Sequence, residues 1–149
     1  MDALDREILA LLHEDGRATM TDIAQRVGLS LSACHRRFRD LQASGVIRGF
    51  HAELDSELLG FPFEALVFVT MHAADFNSWS AFEEALTKVP NIVQAHRLFG
   101  EPDYQLYIAA KSKQHFQEIY DQQLTQLPGV QRLTSTLIMK TAVAGRSPI

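Results

Sequence analysis

Thr21-Asp22-Ile23-Ala24-Gln25-Arg26-Val27-Gly28-Leu29-Ser30, running into Leu31-Ser32-Ala33-Cys34-His35-Arg36-Arg37-Phe38-Arg39-Asp40-Leu41, is the stretch from which the fold is read. Thr21 is a good N-cap residue, Ile23, Ala24 and Val27 share one helical face, and Gly28 stops that helix after about two turns. A short connection follows, in which Ser30 or Ser32 can cap the next helix. Beyond it Cys34, Phe38 and Leu41 recur at i, i+4 and i+7, which predicts a helix ending before Gly45. Its opposite face shows His35, Arg36 and Arg39, with Arg37 toward the flank. Two helices joined by a tight turn containing glycine, the second basic on its outer face, form the pattern of a helix-turn-helix.

Upstream, Leu4, Ile8, Leu11 and Leu12 predict a first helix ending near Gly16. Downstream, Val46 to Leu54 alternates in polarity and reads as a short strand or hinge. Leu66–Met71 reads as a strand and Ser78–Val89 as a helix, with Pro90 just past its end. Ile92–Phe99 and Tyr104–Ala110 read as a hairpin about the turn Gly100-Glu101-Pro102-Asp103. Phe116, Ile119, Tyr120, Leu124 and Leu127 give another helix, closed by Pro128-Gly129, and Val130–Val143 a last strand. The order β, α, β, β, α, β is the ferredoxin-like arrangement, an antiparallel sheet with two helices on one face. The expected class is therefore α+β, with a helix-turn-helix domain over 1–49, a hinge strand or linker over 50–61 and a ferredoxin-like domain over 62–149.

Composition bounds the function. The chain has 149 residues and a formal net charge of −4, so it is not a uniformly basic coat for nucleic acid. Residues 1–50 carry seven arginines against seven carboxylates, and the whole excess of acid lies downstream. A polyanion can approach only the N-terminal half. No apolar run reaches the ~20 residues of a membrane span, and Met1-Asp2-Ala3-Leu4-Asp5-Arg6 does not read as a signal peptide, so a cytoplasmic location without membrane partners is expected. The lone Cys34 lies on the apolar face of its helix and reads as a core residue. The six histidines show no metal-ligand spacing, and no nucleophile elbow, P-loop or dinucleotide fingerprint occurs. Neither an enzyme nor a bound cofactor or metal is expected.

Two sets of candidate site residues emerge. Ser30, Ser32, Ala33, His35, Arg36, Arg37 and Arg39 are the candidates for DNA contact, since cationic and hydroxyl side chains hold phosphates and arginine can pair with guanine. Arg37 is alternatively an intradomain partner for Asp40 or Asp5. The second set is Gly100, Glu101, Pro102, Asp103 and Tyr104. Here backbone N–H groups could take a carboxylate while Asp103, and with it Glu101, could take an ammonium. The plainer reading is a β-turn in which Asp103 caps its own backbone and Tyr104 packs in the sheet. Phe61, Phe63, Phe68, Phe76, Trp79 and Phe82 read as core or dimer interface.

Leu4-Asp5, Ile8-Leu9, Asp15-Gly16-Arg17, Ile23-Ala24, Val27-Gly28-Leu29-Ser30, Gly45-Val46-Ile47 and Gly49-Phe50 resemble the N-terminal half of the Lrp/AsnC (feast/famine) transcriptional regulators. Leu59-Gly60, Gly100, Asp103-Tyr104 and Leu127-Pro128-Gly129-Val130 resemble their effector domain. The resemblance implies a DNA-binding helix-turn-helix, winged or plain, a β hinge, and a βαββαβ domain that dimerises through its sheet. It further implies homodimers assembling to an octamer, with an amino acid bound between dimers near the loop joining the second and third strands. It puts Asp103 in the effector-response position and brings Thr134 and Thr136 to the same region from a neighbouring subunit. The chain departs from the family pattern at Pro102 and Gln105, which leaves hydrophobic, basic and sulfur-containing amino acids open. The expected function is a sequence-specific regulator acting on double-stranded DNA and modulated by an amino acid; the alternative is an architectural protein that wraps DNA without sensing a ligand.

Overall fold

Asp2 and Asp5 start the chain's first helix by capping each other. The Asp2 carboxylate accepts from the Asp5 N–H at 2.9 Å, and the Asp5 carboxylate accepts from the Asp2 N–H at 2.8 Å, a reciprocal capping box. The structure, a computed structural model, describes residues 1–72, 75–144 and 148. The chain divides into two units; Met1–Glu53 form the body of one, and Leu54–Ala142 form the other.

The first unit holds α1 (Ala3–Glu14), α2 (Met20–Arg26) and α3 (Leu31–Ala43) around a core of Ile8, Leu11, Ile23, Ala24, Cys34 and Leu41. Thr19, not Thr21, caps α2: its Oγ1 accepts from the Asp22 N–H at 3.1 Å. Asp22 stands at the third helical position, where a carboxylate favours the helix start. The turn into α3 is a Schellman closure, with Leu29 N–H donating to the Ala24 carbonyl at 2.9 Å and Gly28 N–H to Gln25 at 3.4 Å. That closure needs a left-handed residue, and Gly28 has φ +68°. Ser30 then caps α3, accepting from the Ala33 N–H at 3.3 Å.

The expected strand over Val46–Leu54 is absent, and with it the hinge strand placed in 50–61. A strand requires a neighbour for its ladder, and here the segment is drawn to the helices instead. Ile47 N–H donates to the Leu41 carbonyl, Ile47 packs on the helical core, and the Phe50 ring lies 6.3 Å from Phe38. Farther on, Asp55 accepts from the Leu58 N–H at 2.9 Å and opens a tight turn through Gly60.

The second unit runs β1 (Phe63–Met71), α4 (Phe76–Leu86), β2 (Ile92–Arg97), β3 (Tyr104–Ala110), α5 (Lys113–Gln122), a 3-10 turn (Leu124–Gln126) and β4 (Val130–Leu137). The four strands form one antiparallel sheet in the order β2-β3-β1-β4. This is the βαββαβ arrangement. Alternate residues of the central strands, Val67 and Val69 of β1 and Leu106 and Ile108 of β3, are wholly buried and pack with Phe82 and Leu86 of α4 and Ile119 of α5. The other face presents Leu66, Phe68, Thr70 and Tyr107, with Thr134 and Thr136 beside them on β4. Several boundaries differ from expectation: β1 starts at Phe63 rather than Leu66, α4 ends at Leu86 rather than Val89, and β2 stops at Arg97 rather than Phe99. Asp75 caps α4, accepting from the amides of Asn77 and Ser78 at 3.0 Å, so the helix starts before Ser78. The last strand stops at Leu137, after Ala65, its final partner on β1. Among the aromatic residues expected in a core or interface, Phe82 is buried and Phe76 is exposed.

Apart from its two chain neighbours, no atom of the described residues lies within 4 Å of where a Cβ on Gly28 would stand, so substituting it costs backbone strain alone. Gly28→Ala is expected to destabilise the first unit by about 1–2 kcal/mol, seen as a fall of several degrees in its unfolding midpoint. Gly28→Asn should lose less, because asparagine tolerates the left-handed region.

Candidate nucleic-acid interface and effector site

Burying Cys34, Phe38 and Leu41 turns the opposite side of α3 to solvent. Ser32, His35, Arg36 and Arg39, at i, i+3, i+4 and i+7, are all exposed and form one stripe. Among the described residues, none holds the side chain of His35, Arg36 or Arg39 in an ion pair or hydrogen bond. Ser32 meets Ser30, their hydroxyl oxygens 3.2 Å apart. Ala33 is half-buried at the margin of the stripe.

Arg37 behaves differently. Its Nη1 donates to the Asp2 carboxylate at 2.8 Å and to the Asp5 carboxylate at 2.7 Å. Side-chain exposure is 23% for Arg37 and 15% for Asp5, so the pair with Asp5 is largely withdrawn from solvent. Of the partners the sequence left open, Asp5 is realised, Asp40 is not, and Asp2 is added. The capping box thus serves twice, closing the N-terminus of α1 and fixing α3 against it. The Asp5 amide, and next the Arg37 guanidinium, hold the Asp2 carboxyl below the usual carboxylate range.

At the Gly100–Tyr104 turn, Asp103 does not cap its own backbone with its carboxylate. Its Oδ2 accepts from the Met71 N–H at 2.7 Å, its N–H donates to the Val69 carbonyl at 2.9 Å, and its carbonyl accepts from Leu98 N–H at 2.7 Å. The β2–β3 hairpin is thereby fastened to the end of β1. Gly100 has φ +124°, a conformation other residues avoid. The space where its Cβ would stand is open, so φ rather than a close approach within this chain requires glycine. Glu101 reaches β4, accepting from Arg132 Nη2 at 3.0 Å. Pro102, half-buried, follows a cis peptide bond. Thr134 and Thr136 are exposed two and four residues further along β4, opposite Phe68 and Leu66.

Tyr104 faces the core at 1% exposure, its ring 4.6 Å from Phe82. Its hydroxyl donates to Glu83 at 2.9 Å, and Arg97 bridges the same carboxylate while lying 4.6 Å from the Trp79 ring centre. Burial, and next the bond to Glu83, push the phenol up to about 12. On the other face of the sheet, burial and a bond to Glu64 push Tyr107 up to about 12 as well. The sequence reading missed Arg132, Thr70 and the Glu83–Arg97–Tyr104 cluster. Arg132 was within reach: once Thr134 and Thr136 are given a face, the two-residue repeat of a strand puts Arg132 on it.

Residues 1–48 match a winged helix-turn-helix DNA-binding domain, and residues 64–148 match the Lrp/AsnC ligand binding domain. The chain belongs to the Lrp/AsnC family. Among its relatives, the Bkd operon transcriptional regulator of Pseudomonas aeruginosa is 32% identical over 99% of this chain and 97% of its own length. The leucine-responsive regulatory protein of Rhizobium meliloti is 35% identical over 94% of this chain and 90% of its own. Among solved structures, a transcriptional regulator of Neisseria meningitidis in complex with L-Met superposes with a TM-score of 0.90 at 29% identity, covering 96% of this chain and 92% of that one. This Lrp/AsnC chain is therefore built as a transcriptional regulator with a helix-turn-helix and a ligand-binding domain. No strand, and so no β wing, accompanies α1–α3 among the described residues of the first unit.

If Arg37 acts through Asp2 and Asp5, Arg37→Gln should lower the unfolding midpoint of the first unit and weaken DNA binding while leaving the slope of log affinity against log salt unchanged. A phosphate contact would instead take about 0.9 from that slope. Asp5→Asn gives the sharper sign. Removing an acidic charge should strengthen binding on simple electrostatics, but is expected to weaken it here. Asp2, with its depressed carboxyl, contributes stability that is present above the ordinary carboxylate range and lost as pH falls through its folded value. Acid titration of Arg37→Gln should show a smaller loss of stability at low pH than the parent chain.

Proposed function

We propose that this chain is a sequence-specific transcriptional regulator that reads double-stranded DNA with α3 as a homodimer and responds to an amino acid at the Gly100–Tyr104 turn. The observation that carries the reading is the contrast on α3. Arg37 is tied inward, while Ser32, His35, Arg36 and Arg39 stand outward in one stripe with the arginines unpaired. A helix-turn-helix sets the N-terminal part of its second helix against base edges. Ser30, a helix cap, supports the register of that end, and Ala33 leaves room beside it.

The effector reading is supported by the ligand-binding domain over residues 64–148 and by relatives whose names carry amino acids, one solved with L-Met and one leucine-responsive. Homodimers assembling to an octamer, a cytoplasmic location and the absence of enzymatic activity belong to the same reading. A dimer places two α3 helices on half-sites about one helical turn apart, so a palindromic operator is expected.

The test is fluorescence anisotropy on selected operator DNA at several salt concentrations. Arg36→Ala and Arg39→Ala are each expected to weaken binding at least tenfold at moderate salt. Loss of a base contact would relax preference at one base pair and cost about 1–3 kcal/mol, whereas loss of a phosphate contact would weaken all sequences alike and lower the salt slope by about 1. Affinities within twofold of the parent for both variants would remove α3 from the interface. Binding with no site preference in the parent would replace this reading with that of an architectural protein.

A further inference from the structure

His35 belongs to α3 (Leu31–Ala43) and stands in the same outward stripe as Ser32, Arg36 and Arg39. It is the member of that stripe whose charge is not fixed. A guanidinium stays charged and a hydroxyl stays neutral at every working pH, whereas an imidazole ordinarily changes charge at about pH 6.5. Among the described residues, none bonds to the His35 ring or forms an ion pair with it. On its own helix it lies beside Arg36 and Arg39, while Asp40 is turned well off the stripe and Arg37 is held by Asp2 and Asp5. From the elements packed against α3, Asp22 of α2 is bonded by the Thr19 hydroxyl at 2.6 Å and Arg26 of α2 pairs with Glu14 of α1 at 3.3 Å. Arg6 and Glu7 of α1, and Arg48 and His51 after α3, make no contact with the ring either. No carboxylate of the described residues therefore balances a proton on His35, and its neighbours along the stripe are cations.

We infer that His35 contacts double-stranded DNA as the imidazolium, so that each copy of α3 takes up one proton from solvent, onto a ring nitrogen, as it binds. The inference rests on the reading of α3 as the DNA-binding helix and adds to it a regulation by pH. DNA supplies the negative charge that the chain withholds. Protonated, both ring nitrogens donate, to phosphate oxygens or to guanine O6 and N7; neutral, only one of them donates. The duplex carries one negative charge per about 1.7 Å of its axis and so favours the charged ring. What binds one protonation state better shifts the chain toward it, and by the same linkage the proton strengthens that binding.

The scarcity of cations makes the proton count. Arg36 and Arg39 are the unpaired cations of the stripe, so protonating His35 raises their number from two to three. Each further phosphate neutralised adds about 0.9 to the salt slope. His35 also lies nearer than Arg39 to the N-terminus of α3, the end that a helix-turn-helix sets into the groove. Binding therefore strengthens as pH falls through the imidazole range. The Asp2 carboxyl, held below the usual carboxylate range by the Asp5 amide and next by Arg37, stays charged throughout that range and does not mask the effect.

The test is fluorescence anisotropy of the full chain on selected operator DNA over about pH 5.5 to 8 at fixed salt, with titration calorimetry in two buffers of different ionisation heat. The parent is expected to bind about tenfold more tightly at the low end, with a heat that differs between the buffers by about one proton per α3. His35→Gln should lose both the gain at low pH and the buffer-dependent heat. His35→Arg should keep the tighter binding at the high end. Because the His35 ring is exposed and unbonded among the described residues, both variants should unfold at the parent's midpoint. If His35→Gln keeps the parent's pH dependence, another group is its source; the assignment is overturned and the α3 reading stands. The same follows if the parent's affinity is flat with pH while Arg36→Ala and Arg39→Ala weaken it, or if His35→Gln weakens binding equally at every pH. If Arg36→Ala and Arg39→Ala bind as the parent does, α3 leaves the interface and this inference falls with it.

Discussion

Cys34 is wholly buried, and Leu41, two helical turns on, is 5% exposed. A helix repeats every 3.6 residues, so burying these two against Ile8 and Ile23 determines where every other side chain of α3 points. Ser32, His35, Arg36 and Arg39 are driven outward together, and Arg37 is left on the shoulder beside α1. The stripe is thus a consequence of packing rather than a separate feature laid over it. Arg37 then converts that packing into a fixed orientation. A single guanidinium held by the two carboxylates that cap α1 ties α3 to α1.

The same logic governs the sheet with a different period. Val67, Val69, Leu106 and Ile108 must face α4 and α5, so Thr70, Arg132, Thr134 and Thr136 are sent to the opposite side. Asp103 stands where these two requirements meet. By accepting from Met71 N–H it fastens the hairpin turn to the end of β1 next to Thr70, which brings Glu101 within reach of Arg132. The residue that resembles a ligand contact is in this structure the one that holds the turn in place.

Periodicity makes most of the fold legible in the sequence. Cys34-Phe38-Leu41 gave the face of α3, and the β, α, β, β, α, β order gave the topology. What it missed depended on interactions that leave no period. Thr19 and Thr21 are equally good caps by type, and the choice between them lies in Asp22 standing three residues after Thr19. Val46–Leu54 alternates like a strand, but alternation states only that one side is apolar, and Ile47 and Phe50 satisfy that by packing on helices. Asp103 was read with its sequence neighbours, whereas its partner Met71 is distant in sequence and adjacent only once β1 and β3 have paired. The candidate site was therefore legible as a turn but not as a set of partners.

The chain is acidic overall at −4, and Arg37, being neutralised by Asp2 and Asp5, adds nothing to the attraction of DNA. Two free arginines and a histidine per α3 release few counterions, so one chain alone would bind weakly and with a shallow salt dependence. On the proposed reading, useful affinity comes from joining several copies of α3, each added copy binding at high effective concentration. An effector that alters how copies assemble, even slightly, changes the number of helices engaged at once, and so multiplies its own small differential binding energy into a large change on DNA. On that reading few cations per chain are an advantage, because a helix that bound tightly by itself would hold DNA whatever the ligand did.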